Sequence, residues 1–482
     1  MADSGAAANT GPEANTSATA AADGGSRRPS LLVLHTDQQS SWSLSCCGGT
    51  LVDTPNADRL AREGALFSNF FINSAVCTPS RGCLVTGRYP HHHGAHTNNI
   101  PLDRDEITFA EVLRRAGCRT GYAGKWHLDG TRRPGWVHPE RGMGFEDNRF
   151  MFNRGHWKRV DERWMGDVDP RFYPYDVVGD EKDYVTDWLA DKTVEFLEAH
   201  SAEPFCYMVS FPDPHDPMTV RPPYDAMYRP EDMPLPASLR QENLPDWVKD
   251  RRLAYAGAHR ADEGLEDTLR RKMAGYCGEV KCIDDNVGKI LDRLEALGIL
   301  DDTIVVLTTD HGEYMGEHGL VGKNMLYETA YRVPLLMRWP KRIPAGTVVD
   351  RFFTTVDFQP TILRLMGAEP CGREEGRDGS ALLGGMRSAG GAGRWTDEAF
   401  IHHSSFEQAG IFTPEYELAY VKDHDPILFD RREDPEQIHN LFEAMASSPE
   451  VKELTDRILQ HHIETDSPSV AWLREVVTAT NG

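Results

Sequence analysis

A cysteine near the start of the stretch AVCTPSRGCLVTGR, residues 75 to 88, has the surroundings of a reactive group. Cys77 directly precedes Thr78-Pro79, which predicts a helix start because proline is favoured in the first helical turn. A side chain at that position faces free backbone N–H groups, and Arg81 follows one turn later. A thiolate here could attack an ester, but it would then hold the acyl or sulfuryl group as a stable adduct. The common alternative for such a cysteine is burial in the core.

Two pairs of metal-ligating side chains follow two apolar runs. Asp37-Gln38 comes after SLLVLHT, and Asp310-His311 comes after TIVVLTT. If both runs are parallel strands of an open sheet, both pairs emerge at its carboxyl edge, where ligands bind. Two carboxylates, an amide oxygen and an imidazole form a ligand set for a divalent ion. The alternative for each aspartate is a helix cap.

Three further stretches concentrate cationic and proton-transfer groups. GKWHLDG places Lys125 and His127 at alternate positions of a segment predicted to be extended, so that both side chains can face one side. SFPDPHDPM places His215 in a proline-stiffened loop, and GLVGKNMLYE places Lys323 in a glycine-flanked loop. The alternative for each is a solvated surface. The HHH run at 91 to 93 predicts no metal site, since consecutive residues cannot converge on one ion.

The elements that must position these groups alternate between strand and helix. The predicted strands are 30–37, a short one near CRTGYAG, FCYMVS at 205–210 and TIVVLTT before Asp310. The predicted helices are TPNADRLAREG, TFAEVLRRAG, YVTDWLADKTVEFLEAH and a long one from about Asp267 to Leu297. This alternation predicts an α/β fold with a large, mostly parallel sheet flanked by helices.

Changes of composition divide the chain. Residues 1–28 are rich in Ala, Gly, Ser and Thr and predict a disordered tail. Residues 29–370 carry the strand–helix alternation, and the glycine-rich stretch 371–395 is typical of a linker. Residues 396–482 predict a small α+β domain with a last helix near 448–463. The aromatic and arginine-rich stretch 129–183 is interpreted as a surface insertion, with a substrate-facing loop as the alternative.

The bulk composition excludes some classes of function. The net charge of −23 argues against nucleic-acid binding, and a site for an anion must be a local positive island. Nine cysteines without CxxC spacing favour a reducing compartment over a disulfide framework. No apolar run has the length of a membrane span, and the N-terminus lacks the regions of a signal peptide. We therefore expect a cytoplasmic protein without membrane partners.

Taken together, the motifs resemble those of the type I sulfatase family. CTPSRGCLVTGR is similar to the family signature, and GYAGKWHLDG is similar to its second signature. The resemblance continues through HTDQQ, SFPDPHDP, TTDHGEYMGEHGL, GKNMLYE and DRREDPEQIHNL, and spans roughly residues 30 to 470. It implies an alkaline-phosphatase-like α/β fold, with the large mixed sheet in a sulfatase domain at 29–370 and a small C-terminal domain.

The resemblance also implies roles for the residues. Cys77 is expected to be oxidised to formylglycine by a maturation enzyme that reads Pro79 and Arg81. The hydrate of this aldehyde has one hydroxyl to attack sulfur and a second that permits release of sulfate, which a thiol lacks. The other implied site residues are the metal ligands Asp37, Gln38, Asp310 and His311, together with position 77; Arg81, which holds the nucleophile; the sulfate-binding Lys125 and Lys323; His127 as base; His215 at the leaving group; and Asn98 as a weaker second donor.

Two positions depart from many sulfatases. Gln38 stands where an aspartate is common, and His311 stands where an asparagine is common; both variants occur in related phosphonate monoester hydrolases. The resulting ligand set predicts one divalent ion, with Ca²⁺ preferred and Mn²⁺ or Mg²⁺ as alternatives. Lys125 and His127 favour a sulfatase over a phosphonate or phosphodiester hydrolase, because those relatives usually carry neutral residues there.

Substrate identity stays open in the sequence. The expected substrate is a sulfate ester of a small molecule or a saccharide, and the oligomeric state is left open, with a homo-oligomer as one option. A non-catalytic member that binds sulfated ligands is the remaining alternative. It predicts loss of a metal or nucleophile position, and all of these positions are filled in the chain.

Overall fold

The computed structural model describes residues 28–130, 135–161, 177–256, 264–384 and 395–481. The predicted disordered tail, apart from its last residue, lies outside this range, as does the part of the predicted linker from 385 to 394. No helix in the described ranges is both long and apolar enough to cross a membrane. All nine cysteines are free.

The described residues form fourteen strands. They are β1 (Ser30–Thr36), β2 (Ala65–Phe67), β3 (Phe70–Phe71), β4 (Arg119–Lys125), β5 (Asp147–Phe152), β6 (Phe205–Ser210), β7 (Thr303–Thr309), β8 (Leu335–Arg338), β9 (Thr347–Val349), β10 (Phe353–Thr354), β11 (Ala399–His402), β12 (Gln408–Phe412), β13 (Tyr416–Val421) and β14 (Ile427–Asp430).

Twelve α-helices accompany these strands over the same ranges. They are α1 (Pro55–Glu63), α2 (Cys77–Thr86), α3 (Pro90–His93), α4 (Phe109–Arg115), α5 (Val185–His200), α6 (Asp246–Ala256), α7 (Leu265–Ala296), α8 (Glu328–Tyr331), α9 (Thr355–Leu365), α10 (Phe442–Met445), α11 (Pro449–Glu464) and α12 (Val470–Asn481).

Eight strands form the main sheet, in the order β5-β4-β6-β1-β7-β8-β2-β9. All neighbouring pairs are parallel except those that β8 makes with β7 and β2. Strand β1 is buried along its whole length because both faces are covered. Leu31 and Val33 belong to one hydrophobic cluster together with α4 and α9 residues, whereas Leu32 and Leu34 pack with residues of α1, α5 and α7. The predicted α/β fold is therefore confirmed.

The register of the central strands brings their carboxyl ends together. Thr36 of β1 is the partner of Thr309 of β7, so Asp37 and Asp310 leave the sheet side by side. On the other side of β1, His35 pairs with Ser210 at the end of β6. Three adjacent strands thus deliver side chains to one place on the sheet edge.

The C-terminal residues form a second, antiparallel sheet of four strands, in the order β11-β12-β13-β14. One face packs against α11 and α12 through Leu418 and Val451. The other face contributes Ile401 and Phe412 to the main hydrophobic cluster. Because the two sheets share a core, the small sheet is joined to the large one by buried apolar surface. The sequence analysis missed α12.

Candidate active site

Cys77 is the first residue of α2 and lies in the core of the site. Its side chain is 2% exposed, and Sγ lies 3.1 Å from Nε2 of His311. Burial acts to raise the pKa of the Cys77 thiol, but the ammonium groups of Lys125 and Lys323 outweigh it, and the pKa is lowered. The buried Lys125 and the half-buried Lys323 therefore favour negative charge at the Cys77 position.

Arg81 joins the two aspartates at the sheet edge. Its Nη2 donates to Asp37 Oδ2 at 2.8 Å, and its Nε donates to Asp310 Oδ2 at 2.8 Å. The other terminal nitrogen donates to the Lys125 carbonyl at 2.7 Å and to Ser210 Oγ at 2.8 Å. All of these side chains are buried. A planar guanidinium thereby fixes both carboxylates in one orientation.

The residues present fit a divalent metal ion. Ligand atoms of Asp37, Cys77, Asp310 and His311 all lie within 4.8 Å of one another. Asp37 Oδ1 is buried without a hydrogen-bond partner in the described structure, which is unusual for a carboxylate oxygen and suits a cation. His311 Nε2 lies 3.5 Å from Asp310 Oδ1. These four side chains could therefore hold one ion.

Gln38 lies beside this ligand cluster, and its amide is already engaged. Its Oε1 accepts from Lys323 Nζ at 2.5 Å, and its Nε2 donates to Glu313 Oε2 at 2.5 Å. The Gln38 backbone N–H donates to Asp310 Oδ1 at 3.0 Å, and φ is 67°. This left-handed backbone carries strain of the kind that accumulates at functional sites. The amide oxygen thus faces Lys323, and Glu313 is a partner that the sequence analysis missed.

The two lysines and His215 line the same space. Lys125 Nζ makes a short contact with Asp37 Oδ2 and lies 3.9 Å from Cys77 Sγ. Lys323 Nζ lies 2.8 Å from His215 Nε2. Burial, followed by the charge of Lys323, holds the pKa of His215 well below its usual value. The structure therefore brings the predicted sulfate-binding and leaving-group residues together.

The predicted extended segment from Lys125 to His127 is wrong. Strand β4 ends at Lys125, and His127 has φ of 58°, so the chain turns directly after the strand. The turn holds the His127 carbonyl, which accepts from Thr78 Oγ1 at 2.9 Å. Both ring nitrogens of His127 are buried without partners among the described residues. Burial, then the charge of Lys125, keeps the pKa of His127 well below its usual value, so the ring is neutral.

Asn98 lies close to the nucleophile position. Its Oδ1 accepts a hydrogen bond of 3.2 Å from the backbone N–H of Thr78, the residue that follows Cys77 in α2. It thereby satisfies one of the free N–H groups of the first helical turn. In this position Asn98 supports the start of α2.

His156 is a site residue that the sequence analysis missed. Its Nε2 lies 2.8 Å from Lys125 Nζ, and its ring stacks on His215 with centroids 3.9 Å apart. It lies in the arginine-rich stretch interpreted as a surface insertion. No motif or regular spacing in that stretch marks this histidine as a site residue. The described part of that stretch thus includes a segment facing the site, as the alternative interpretation held.

Asp37, His156 and His215 form a second group with ligand atoms within 4.8 Å of one another. The Lys125 ammonium already contacts Asp37 and His156 in this group. Lys323 contacts His215. The two ammonium groups therefore supply the positive charge here that a second ion would bring.

Comparison with known proteins finds sulfatases that match most of the chain. The Sulfatase family matches residues 29–368, and the family described as N-sulphoglucosamine sulphohydrolase, C-terminal, matches residues 316–464. The N-acetylglucosamine-6-O-sulfatase of Bacteroides thetaiotaomicron is 30% identical, and the match covers 89% of this chain and 85% of that protein.

Solved structures share the fold. A protein in complex with its substrate D-glucosamine-2-N,6-O-disulfate superposes with a TM-score of 0.75 at 25% identity, covering 91% of this chain and 98% of that chain. The phosphonate monoester hydrolase of Agrobacterium radiobacter has a TM-score of 0.74 at 24% identity, covering 91% and 96%, and shows the fold alone. With the family match over most of the chain, the protein belongs to the type I sulfatase family and is a sulfatase.

Proposed function

We propose that this sulfatase hydrolyses the sulfate monoester of a saccharide, with formylglycine made from Cys77 as nucleophile and one divalent metal ion beside it. The position of Cys77 Sγ carries the proposal. It lies 3.1 Å from His311 Nε2, inside the cluster of ligand atoms that Asp37 and Asp310 complete. A sulfate group could therefore contact the nucleophile and the metal ligands in one space.

Asp37, Asp310 and His311 would hold the ion together with the modified residue 77, and Gln38 adjoins them. A bound divalent ion would polarise the sulfate oxygens and favour ionisation of the attacking hydroxyl. The carboxylates favour Ca²⁺, whereas the imidazole nitrogen also admits Mn²⁺, with Mg²⁺ a further option. We therefore propose Ca²⁺ as the preferred ion.

Formylglycine hydrate supplies two hydroxyls on one carbon, one for attack on sulfur and one for return to the aldehyde with release of sulfate. Cys77 itself is 2% exposed in the folded chain. The maturation enzyme would therefore have to reach Cys77 before folding is complete. Arg81 then holds the two aspartates around the modified residue.

The cationic and imidazole side chains have separable tasks. Lys125 and Lys323 bind sulfate oxygens and stabilise charge that develops there in the transition state. The neutral His127 has ring nitrogens free to accept a proton when the aldehyde is regenerated. The hydrogen bond of 2.8 Å between Lys323 Nζ and His215 Nε2 supports a role in which this pair would give a proton to the leaving-group oxygen. The substrate carries the negative charge that this positive island attracts.

A saccharide substrate is supported by the relatives and by polar groups near the site. Arg154 Nη1 donates to Asn99 Oδ1 at 2.9 Å, next to the site residue Asn98. From the turn between β11 and β12, Ser404 contacts Asn324, the neighbour of Lys323, through a hydrogen bond of 3.4 Å. Hydrogen-bonding side chains of this kind suit sugar hydroxyl and amide groups.

A phosphonate monoester or phosphodiester hydrolase using the same formylglycine is the second candidate. Gln38 and His311 favour it, because both occur in such relatives. Lys125 and the neutral His127 favour the sulfatase reaction. Rates on an aryl sulfate and an aryl phosphonate, measured on the same preparation, separate the two.

The decisive experiment is the mass of the peptide spanning Cys77, from protein made together with a formylglycine-generating enzyme. We expect the mass of the aldehyde at position 77 and turnover of N-acetylglucosamine 6-sulfate that stops when the metal is chelated. The matched control is Cys83→Ala in the same helix, which should keep both the modification and the activity. An unmodified cysteine in an active preparation would contradict the proposed nucleophile.

A further inference from the structure

The segment of residues 153–158, here called the His156 segment, follows β5 and lies against the active site. His156 is at its centre, with its ring parallel to that of His215 at an angle of 3° between planes. Each ring has one nitrogen close to a lysine. His156 Nε2 lies 2.8 Å from Lys125 Nζ, and His215 Nε2 lies 2.8 Å from Lys323 Nζ. Each of the two stacked rings thus contacts one lysine of the site, His156 contacting Lys125 and His215 contacting Lys323.

The chemistry of the donor defines the role of the His156 nitrogen. A lysine ammonium has three donors and no acceptor, so Nε2 must accept the hydrogen bond with its lone pair. The same ammonium donates to Asp37 Oδ2. Lys125 is therefore held from two sides, by a carboxylate and by an imidazole, and its third donor is directed at Cys77 Sγ, 3.9 Å away.

The His156 segment is anchored by a buried ion network. Lys158, two residues after His156, contacts Asp213 at a short distance and Glu279 Oε1 at 2.8 Å, and all three side chains are fully buried. Asp213 precedes His215 in its loop, and Lys158 Nζ lies 3.4 Å from the His215 carbonyl. One lysine therefore ties both stacked rings to the same framework.

We propose that His156 is a positioning residue for sulfate binding, which acts with Asp37 to fix the orientation of the Lys125 ammonium through its Nε2, so that the third donor is directed at position 77, and which keeps the His215 ring in place by stacking. The proposal rests on the proposed function, because it gives Lys125 the task of binding sulfate. Without an acceptor at position 156, Asp37 alone holds the ammonium, which can then rotate so that its third donor no longer points to the sulfate oxygens. The acceptor and the flat ring are separate properties that substitutions can separate.

The test uses two variants of the full chain. His156→Gln keeps an acceptor but removes the ring, and His156→Phe keeps a ring for stacking but removes the acceptor. Inorganic sulfate is the binding probe, titrated by calorimetry, and kcat and KM for an aryl sulfate are measured on the modified enzyme. His424→Gln, an exposed histidine between β13 and β14, is the matched control, and melting temperatures monitor folding.

We expect His156→Phe to weaken sulfate binding by about tenfold and to lower kcat by about 10 to 100-fold, because a misplaced group near the reacting atoms costs rate steeply. His156→Gln should restore sulfate binding to within about threefold of the unaltered chain, since its amide oxygen accepts from Lys125. Equal losses of sulfate affinity in both variants, or no loss in His156→Phe, would overturn the proposed role of the hydrogen bond between His156 Nε2 and Lys125. Sulfate binding needs no turnover, so failure of the formylglycine reaction would be seen separately, as binding without hydrolysis.

Discussion

Two carboxylates are buried side by side in the site, and one guanidinium makes this possible. Asp37 and Asp310 are each 1% exposed or less, and Arg81 donates to both. Burial alone acts to raise the pKa of Asp37, but Lys125 and other cations keep it well below its usual value. Both aspartates are therefore ionised at neutral pH and can bind a cation. At the scale of single residues, the site is a balance of fixed charges.

The first prediction concerns the nucleophile. Cys77→Ala should lower kcat on sulfate esters by about 10³-fold or more, because no other side chain can supply the two hydroxyls of the hydrate. The melting temperature should change by no more than a few degrees, since the lost Sγ packs among polar groups. Activity and circular dichroism melts on the same preparations check both statements. Turnover near that of the unaltered enzyme would remove the whole mechanism.

The residues of the proposed metal and nucleophile sites could be singled out in the sequence because each lies in a short local pattern. Asp37 and Asp310 follow apolar strands, and Cys77 precedes a proline at a helix start. His156 has no such pattern, because its position depends on stacking against a loop nearly 60 residues away in sequence. Contacts of this kind arise from tertiary packing alone, so the sequence could not indicate them.

At the scale of elements, the His156 segment depends on Lys158. We predict that Lys158→Met destabilises the protein by about 3 kcal/mol, because it leaves the buried Asp213 and Glu279 without their cation. Sulfate affinity should fall as well, since both stacked rings lose their anchor. Urea unfolding and calorimetry measure the two effects.

The matched control for that prediction is Lys289→Met. Lys289 pairs with Asp191, and both side chains are 44–45% exposed. Exposed ion pairs contribute little, so the change in unfolding free energy should stay below about 0.5 kcal/mol. Equal effects of the two substitutions would show that burial of the Lys158 network has no part in stability.

A further prediction concerns Arg154, at the start of the His156 segment. Its described hydrogen bond is to the neutral Asn99, and its charge is close enough to help lower the pKa of His127. We predict that Arg154→Gln lowers kcat/KM for N-acetylglucosamine 6-sulfate by about tenfold, through loss of charge-assisted hydrogen bonds to the sugar. The effect on a small aryl sulfate should be less than about threefold. Equal losses on both substrates would contradict a sugar-binding role.

Long periodic elements were predictable, and short ones were not. The long helix was expected from about Asp267 to Leu297 and spans Leu265–Ala296, and the strand at 205–210 has the predicted bounds. Strands β2 and β9 have three residues each, too few to show any alternation. The turn after Lys125 was missed because His127 adopts a backbone conformation that is uncommon for a side chain with a Cβ.

At the scale of the whole molecule, the C-terminal sheet and helix α11 meet helix α3 at a cluster of histidines. His402 of β11 and His461 of α11 have Nε2 atoms 2.8 Å apart, and His462 lies beside them with its ring centroid 4.6 Å from that of His402. From the large domain, His91 stacks on His402 at 5.4 Å. The HHH run of the sequence thus lies at this junction, where neutral imidazoles join the C-terminal unit to helix α3, in addition to the apolar contacts between the two units.

We predict that this junction makes the protein sensitive to acid. Burial lowers the pKa of His462 to about 3 and that of His91 to about 4, whereas an unfolded chain titrates near 6.5. Unfolding therefore takes up protons below pH 6.5. The contribution of these histidines to the unfolding free energy is fully present above that pH and falls as the pH drops towards 4. Each histidine contributes up to about 1.4 kcal/mol per pH unit in this window.

The last prediction isolates that contribution. Urea unfolding between pH 7.5 and 5 should show a decline in unfolding free energy, and His462→Leu should make the decline smaller by about 1 to 2 kcal/mol, because leucine takes up no proton on unfolding. The exposed His424→Gln should leave the decline as it is in the unaltered chain. The comparison uses the dependence of the unfolding free energy on pH. Any loss of packing in the leucine variant lowers the unfolding free energy by the same amount at every pH, so it does not affect this dependence. Parallel declines in the unaltered chain and His462→Leu would show that the junction histidines do not set the acid sensitivity.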